Sequence, residues 1–164
     1  MNHEQRERKH MSDRIAQRLQ TLGIALPTPA AAAGAYAQTC LTGTLLFVSG
    51  QLPMENGVLR YAGSVGAALT VEEGRAAARL CALNILAQAA TALGTLDRVR
   101  RVVRLNGFVS APATFTAHPQ VINGASELLK EVFGAAGVHT RIALGVSALP
   151  LGAAVETDAI FEVA

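Results

Sequence analysis

AAVETDAIFEV (153–163) alternates apolar and polar residues along almost its whole length. Period-two geometry puts Val155, Thr157, Ala159, Phe161 and Val163 on one face and Glu156, Asp158, Ile160 and Glu162 on the other. This is the pattern of a strand that lays one face on a core and turns carboxylates the other way. Working back along the chain, RIALGVSAL (141–149) is a second β-rich run, joined to the first by Pro150-Leu151-Gly152. Pairing of the two as a hairpin is the expectation, which would set Arg141 and Glu156 on neighbouring strands at the sheet margin. A guanidinium can clamp a carboxylate through two parallel hydrogen bonds, and a glutamate can polarise a water. Equally, the two could form a structural ion pair; spacing alone does not separate these cases.

Further out, Pro119 opens a helix whose Val121, Ala125, Leu128 and Val132 form an apolar stripe, ended by Gly134. Before it, RVRRVVRLNGFVS (98–110) is a Val-rich strand. Thr70 and Glu73 make a T-x-x-E capping box. The helix behind it runs to Leu93 and ends at Gly94, with Ala76, Leu80, Leu83, Ala87 and Ala90 as its predicted inner face. TLLFVSG (44–50) is a strand, and Asn56-Gly57 signals a hairpin returning over Val58 to Tyr61. Residues 12–22 carry Ile15, Leu19 and Leu22 at helical spacing behind a Ser12 cap, with Gly23 to stop the helix. A Pro/Ala-rich extended lead-in follows, the residues before Pro27 and Pro29 being biased away from helix. The order ββ-α-β-α-ββ describes an α+β domain, a mixed sheet with two helices on one face. Its other face keeps apolar residues and calls for a partner.

At 164 residues the chain fits one domain, taken as 12–164 behind a polar tail over 1–11, with Met11 as a candidate functional start. Half the residues are hydrophobic, but aromatics are 4% and tryptophan is absent, so small side chains fill the core and oligomerisation adds burial. The tail lacks the apolar segment of a signal peptide and is too rich in Glu for a transit peptide. No run approaches the uninterrupted apolar length of a membrane helix. Cys40 and Cys81 sit in apolar surroundings without metal or CxxC spacing and read as reduced core residues, which points to the cytoplasm. The histidines His3, His10, His118 and His139 show no ligand spacing, so no metal site is expected. A net charge of +2 argues against nucleic acid. The Arg98, Arg100, Arg101, Arg104 cluster, with no aromatic residues interleaved for stacking, reads as an exposed strand face.

Gly34-Ala35-Tyr36-Ala37-Gln38, Val48-Ser49-Gly50-Gln51-Leu52-Pro53, Asn123 early in the second long helix, and the pairs Thr140-Arg141 and Val155-Glu156 occur in that order over 34–163. Together they resemble the reactive-intermediate deaminase (RidA, YjgF-like) family: its G-P-Y-x-Q lead-in, S-G-Q-I-P strand end, V-N-x-x-Y helix start and A-R-S…V-E-I-E-A-I close. The resemblance implies a chorismate-mutase-like fold and a homotrimer around a central β-barrel with clefts between subunits. It also implies cofactor-free hydrolysis of enamines and imines of amino acids to 2-oxo acids and ammonia. By position, Arg141 matches the carboxylate-binding arginine, Glu156 the glutamate that activates water, and Tyr36, Ser49, Gly50 and Asn123 residues lining the pocket. The partner implied is a small carboxylate-bearing imine or 2-oxo acid. The chain departs from the family at His139 (usually Pro or Ala), Ile142 (usually small), Ala143 (commonly Cys), Thr157 (usually apolar) and around Gly152, and it adds the N-terminal helix. Two other readings go with the resemblance: a trimeric carboxylate-binding protein without turnover, and an endoribonuclease, a label that relatives have carried.

Overall fold

The capping box at Thr70 sets the longest element. In the computed structural model, which describes residues 14–164, Thr70 Oγ1 accepts from the Glu73 amide at 3.1 Å while Glu73 Oε2 accepts from the Thr70 amide at 2.7 Å. Two of the orphan donors at a helix start are thereby satisfied. The helix they launch runs Val71–Leu93 and is stopped by Gly94 in the left-handed conformation at φ 77°. Long and apolar enough by composition to cross a bilayer, it instead lies with most of its apolar length buried inside the protein.

Around it the elements are α1 (Arg14–Thr21), β1 (Thr39–Thr42), β2 (Leu45–Gln51), β3 (Met54–Glu55), β4 (Val58–Leu59), α2 (Val71–Leu93), β5 (Val99–Ser110), α3 (His118–Phe133), β6 (Thr140–Val146) and β7 (Val155–Val163). The main sheet is mixed and has the order β1-β2-β7-β5-β6. Helices α2 and α3 cover one face of it, in the α+β arrangement expected of the chorismate-mutase-like fold. The core between them is made of Ile85, Leu86, Leu105, Ile122, Leu128, Leu129 and Phe161, all fully buried. The helices approach each other at Gly124, where a β-carbon would lie 2.9 Å from the Arg75 carbonyl carbon and nearer still to its oxygen.

Four expectations change. The β6–β7 hairpin does not form: β6 pairs in parallel with β5, and β7 runs antiparallel between β2 and β5. The reason is the crossover. Parallel strands need a helical connection, and α3 supplies one from β5 to β6, which leaves β6 as the sheet edge. Second, the Asn56-Gly57 turn joins only the two-residue strands β3 and β4, which stand apart from the main sheet. The sheet partner of β2 on that side is β1, turned through Gly43 at φ 55°. Third, α2 does not bury the face of Ala76, Leu80, Leu83 and Ala90. Its buried side runs through Gly74, Ala77, Ala78, Cys81, Ala82 and Ile85, with Ala87 buried as expected. Small side chains let the helix sit close to the sheet, and the leucines flank it. Fourth, Cys40 is exposed on β1, while Cys81 is buried; both are free thiols.

Other readings stand. The faces of β7 alternate as predicted, with Val155, Thr157, Ala159, Phe161 and Val163 buried and the rest half-buried. The α3 stripe of Val121, Ala125, Leu128 and Val132 is wholly buried. Helix α1 buries Ile15 and Leu19 and is tied to α3 by Arg18 Nε donating to the Glu131 carbonyl at 2.8 Å. Its Ser12 cap, the polar tail and Met11 lie outside the described residues.

Candidate functional site

The six singled-out residues fall into two groups, and topology keeps the groups apart. The first is built on β6 and α3. Arg141 pairs with Leu105 of β5, so it shares that residue's face and points to the helix side. There Arg141 Nη1 donates to Asn123 Oδ1 at 2.7 Å and to Ser126 Oγ at 3.1 Å, while Nη2 donates to the Pro119 carbonyl at 3.3 Å. Pro119 and Asn123 belong to the first turns of α3, whose start the proline sets. Three of the five guanidinium N–H groups are thus used as struts. Nε–H and one Nη2–H have no partner among the described residues, and two is the number a carboxylate takes in a bidentate pair. The guanidinium lines a groove of about 330 Å³ together with Ser126, Glu127, Lys130, Gly137, Val138 and His139.

The second group is built on β2 and β7. Between Val48 and Gln51 the β2 register shifts, so that Ser49 and Gly50 together stand opposite one residue of β7. Such a bulge re-aims what it carries. Ser49 donates to the Ala37 carbonyl at 2.7 Å, and Gln51 Nε2 to Gln38 Oε1 at 2.8 Å, fastening the lead-in beside half-exposed Tyr36. Gly50 faces Glu156: a β-carbon there would stand 3.0 Å from the glutamate Cδ. Glu156 pairs with Phe108, on the sheet face that no helix among the described residues covers. Its carboxyl has no hydrogen bond or ion pair among the described residues. Burial, and then the charge of Asp158 two residues on, push its pKa above the ordinary glutamate range. Burial raises Asp158 as well, partly offset by the amide of Asn106, which donates to Asp158 Oδ1 at 2.7 Å, and by Arg104.

Arg141 and Glu156 therefore do not meet within one chain. They lie on opposite faces, two strand spacings and three residues of register apart, or about 14 Å between α-carbons from standard sheet dimensions. The same uncovered face carries Phe47, Ile142 and Leu144, which are 40%, 37% and 44% exposed. Natural monomers leave few such apolar clusters open.

The sequence reading missed a chain of hydrogen bonds behind the arginine. His139 Nε2 lies 2.9 Å from Ser126 Oγ and its Nδ1 lies 2.6 Å from the Gly137 carbonyl. The signal was present in the departure of His139 from the family pattern. The basic cluster has local partners: Arg98 donates to the Ala164 carbonyl at 2.7 Å, Arg101 pairs with Glu162 at 2.8 Å, and Arg104 donates to Asn106 Oδ1 at 2.9 Å. Among the described residues, no three His, Cys, Asp or Glu side chains gather to hold a metal ion.

Residues 16–160 match the family described as "YjgF/chorismate_mutase-like, putative endoribonuclease". The chain is 52% identical over 152 residues to Protein TCP17 of Trypanosoma cruzi, covering 92% of this chain and 95% of that protein. Among solved structures, the protein Atu1372 of Agrobacterium tumefaciens superposes with a TM-score of 0.88 at 47% identity, covering 95% of this chain and 96% of the other. RidA from the Antarctic bacterium Psychrobacter sp. PAMC 21119 follows the same fold at a TM-score of 0.58 and 26% identity, over 85% of this chain and 96% of its own. With motifs, fold order and family match running over nearly the same span, the chain belongs to the YjgF/RidA family.

Proposed function

We propose that this chain hydrolyses imines and enamines of amino acids to 2-oxo acids and ammonia, in a cytoplasmic homotrimer whose subunits share each site. One observation carries the reading. The open donor pair of Arg141 and the carboxyl of Glu156, unpartnered among the described residues, stand on opposite sheet faces of the same chain; on this reading they are two halves of one reaction centre. A second copy packing its uncovered face against the β6 edge would bring its Glu156 to the first copy's Arg141. The apolar residues Ile142 and Leu144 on β6 give that contact a driving force.

The chemistry follows from the two groups. The substrate carboxylate seats on Arg141 Nε–H and Nη2–H, held in place while Asn123, Ser126 and Pro119 brace the guanidinium. The partner's Glu156 takes a proton from water as the water oxygen bonds to the carbon of the protonated imine and the C=N electrons move to nitrogen, giving a neutral carbinolamine. The carbinolamine then collapses: Glu156 returns its proton to the amine nitrogen, the C–N bond breaks as the oxygen electrons form C=O, and the hydroxyl proton passes to the again-ionised Glu156 and on to the departing ammonia, which leaves as ammonium. An enamine first takes a proton on carbon to become the imine. A carboxyl raised toward neutrality serves both directions of proton transfer better than an ordinary one. Positioning together with this base supplies on the order of several kcal/mol of barrier reduction. Ribonuclease chemistry finds less support, since three of the four clustered arginines already serve local contacts.

Subunit complementation tests the proposal. Arg141→Ala and Glu156→Gln chains are each expected to release almost no ammonia from imino acids generated in place by an amino-acid oxidase. Unfolded together and refolded as a mixture, they should regain about a quarter of wild-type activity, the share of intact sites in a randomly mixed cyclic trimer. A mixture as inactive as its parents would place both groups in one subunit and sink the shared site. A mixture that retains 2-oxo acids without releasing ammonia would favour the binding protein.

A further inference from the structure

Resting on the reading of Arg141 as the carboxylate clamp, we infer that His139 is a positioning residue which acts on that clamp through Ser126. Proton accounting along the chain of contacts carries the inference. The Gly137 carbonyl can only accept, so at 2.6 Å the His139 Nδ1 must hold the hydrogen. In the neutral imidazole Nε2 is then an acceptor, and its partner at 2.9 Å is the Ser126 hydroxyl, which donates. With its own hydrogen committed to the imidazole, Ser126 Oγ presents lone pairs outward, and one receives Arg141 Nη1 at 3.1 Å. The direction of every bond is fixed by the carbonyl at its end. Burial favours the neutral ring that this arrangement requires and outweighs the Gly137 hydrogen bond, which favours the charged form, with the Arg141 charge adding to burial.

An arginine side chain has many rotamers to lose, and each fixed acceptor reduces what a ligand must order on binding. Asn123 and Pro119 hold the guanidinium from the start of α3; Ser126 holds it one turn later. Without His139 the serine hydroxyl is free to rotate and aim its own hydrogen at the cation. The other charged groups of the same groove are Glu127, which pairs with Arg75, and Lys130. Neither occurs in the hydrogen-bond chain.

The geometry thus separates ligand capture, which depends on Arg141, from bond making, which depends on Glu156. Replacing His139 should weaken capture and leave turnover alone. The test measures the affinity for 2-oxobutanoate by calorimetry and the ammonia-release kinetics for wild type, His139→Ala, His139→Gln, Ser126→Ala, the His139→Ala/Ser126→Ala pair and Arg141→Ala, with melting temperature followed throughout. We expect Kd and KM to rise about five- to tenfold in His139→Ala, the scale of one hydrogen bond between neutral groups, with kcat within about twofold. The double variant should be no worse than Ser126→Ala, because both act through one link. His139→Gln should restore affinity, since its amide offers an acceptor to Ser126 and a donor to Gly137. Unchanged affinity in His139→Ala, additive losses in the double variant, or a fall in kcat with KM unchanged would each overturn the inference while leaving the clamp standing. Unchanged affinity in Arg141→Ala would remove the clamp itself, and the positioning role with it.

Discussion

Gly50→Ala is the most economical perturbation of the proposed base, because it adds one methyl group and removes nothing. Built on the existing backbone, that methyl stands 3.0 Å from Cδ and 3.3 Å from Cγ of Glu156, and nearer still to Oε1. The carboxyl must withdraw by roughly 0.5–1 Å to regain ordinary contact distance. It can do so, since it is the free end of a flexible side chain and no hydrogen bond among the described residues ties it down. The backbone can accept alanine, because Gly50 is not among the glycines at positive φ. Folding stability should therefore change by less than about 1 kcal/mol, with the reduced freedom of the unfolded chain offsetting part of any strain. Catalysis is less forgiving: a displacement near 1 Å can cost about a hundredfold in rate, or about 2.7 kcal/mol of barrier. The assay is kcat for ammonia release beside thermal unfolding, in both wild-type and Glu156→Gln backgrounds. We expect a loss of about ten- to a hundredfold in the first background and little further loss in the second. Gly50→Ala with wild-type kcat would refute the reasoning, because the carboxyl could then move without consequence. An equal loss in the Glu156→Gln background would show that the methyl acts through something else.

Three further outcomes are expected. Since the folded pKa of Glu156 lies above its unfolded value, its contribution to stability is fully present below the ordinary glutamate range and is lost as pH rises through the folded pKa. Glu156→Gln should therefore melt no lower than wild type at neutral pH and flatten that loss, while activity in the wild type rises with pH through a midpoint above ordinary carboxylates; a midpoint near 4 would exclude Glu156 as the base. Gly124→Ala should cost about 1–3 kcal/mol by denaturant unfolding, because its methyl meets the Arg75 backbone carbonyl between α2 and α3 and a backbone cannot step aside as a side chain does; an unchanged unfolding midpoint would contradict the helix contact. Leu144→Lys, on the exposed edge strand, should convert about three associated chains to one in sedimentation and abolish ammonia release; an intact, active trimer would remove β6 from the interface.

The parts of the fold legible in sequence were those with local causes. The Thr70 box, the Pro119 start and the alternation of 155–163 are decided by neighbours a few residues away, and they appear where expected. The α2 face was misread because an alanine-rich helix with leucines on several sides carries little hydropathy contrast: Ala77, Ala78, Cys81, Ala82, Ile85 and Leu86 are buried, while Leu80 and Leu83 flank them. Strand pairing was misread because sequence adjacency favours a hairpin, whereas the α3 crossover commits β6 to β5 and opens the central place to β7. The candidate site residues were found by matching motifs, but their division into two groups belongs to topology, which no local pattern encodes.

That division bears on how the base would be tuned. In one chain, Glu156 already carries a raised pKa from partial burial and from Asp158, with no cation among the described residues pulling it back. On the proposed assembly, covering the open face desolvates it further and raises it again. The neighbouring subunit's Arg141 acts in the opposite sense, but its charge is shared with the substrate carboxylate once that is bound. On that proposal substrate entry would take away part of the attraction that holds Glu156 ionised, and the carboxyl would move toward the pKa at which it can both accept and return a proton. In a layout with clamp and base on adjacent strands of one chain, the arginine would pair with the glutamate already in the lone subunit. Setting the two on opposite faces leaves Arg141 to the struts of α3 and Glu156 to Gly50, so that neither group satisfies the other before the site is assembled.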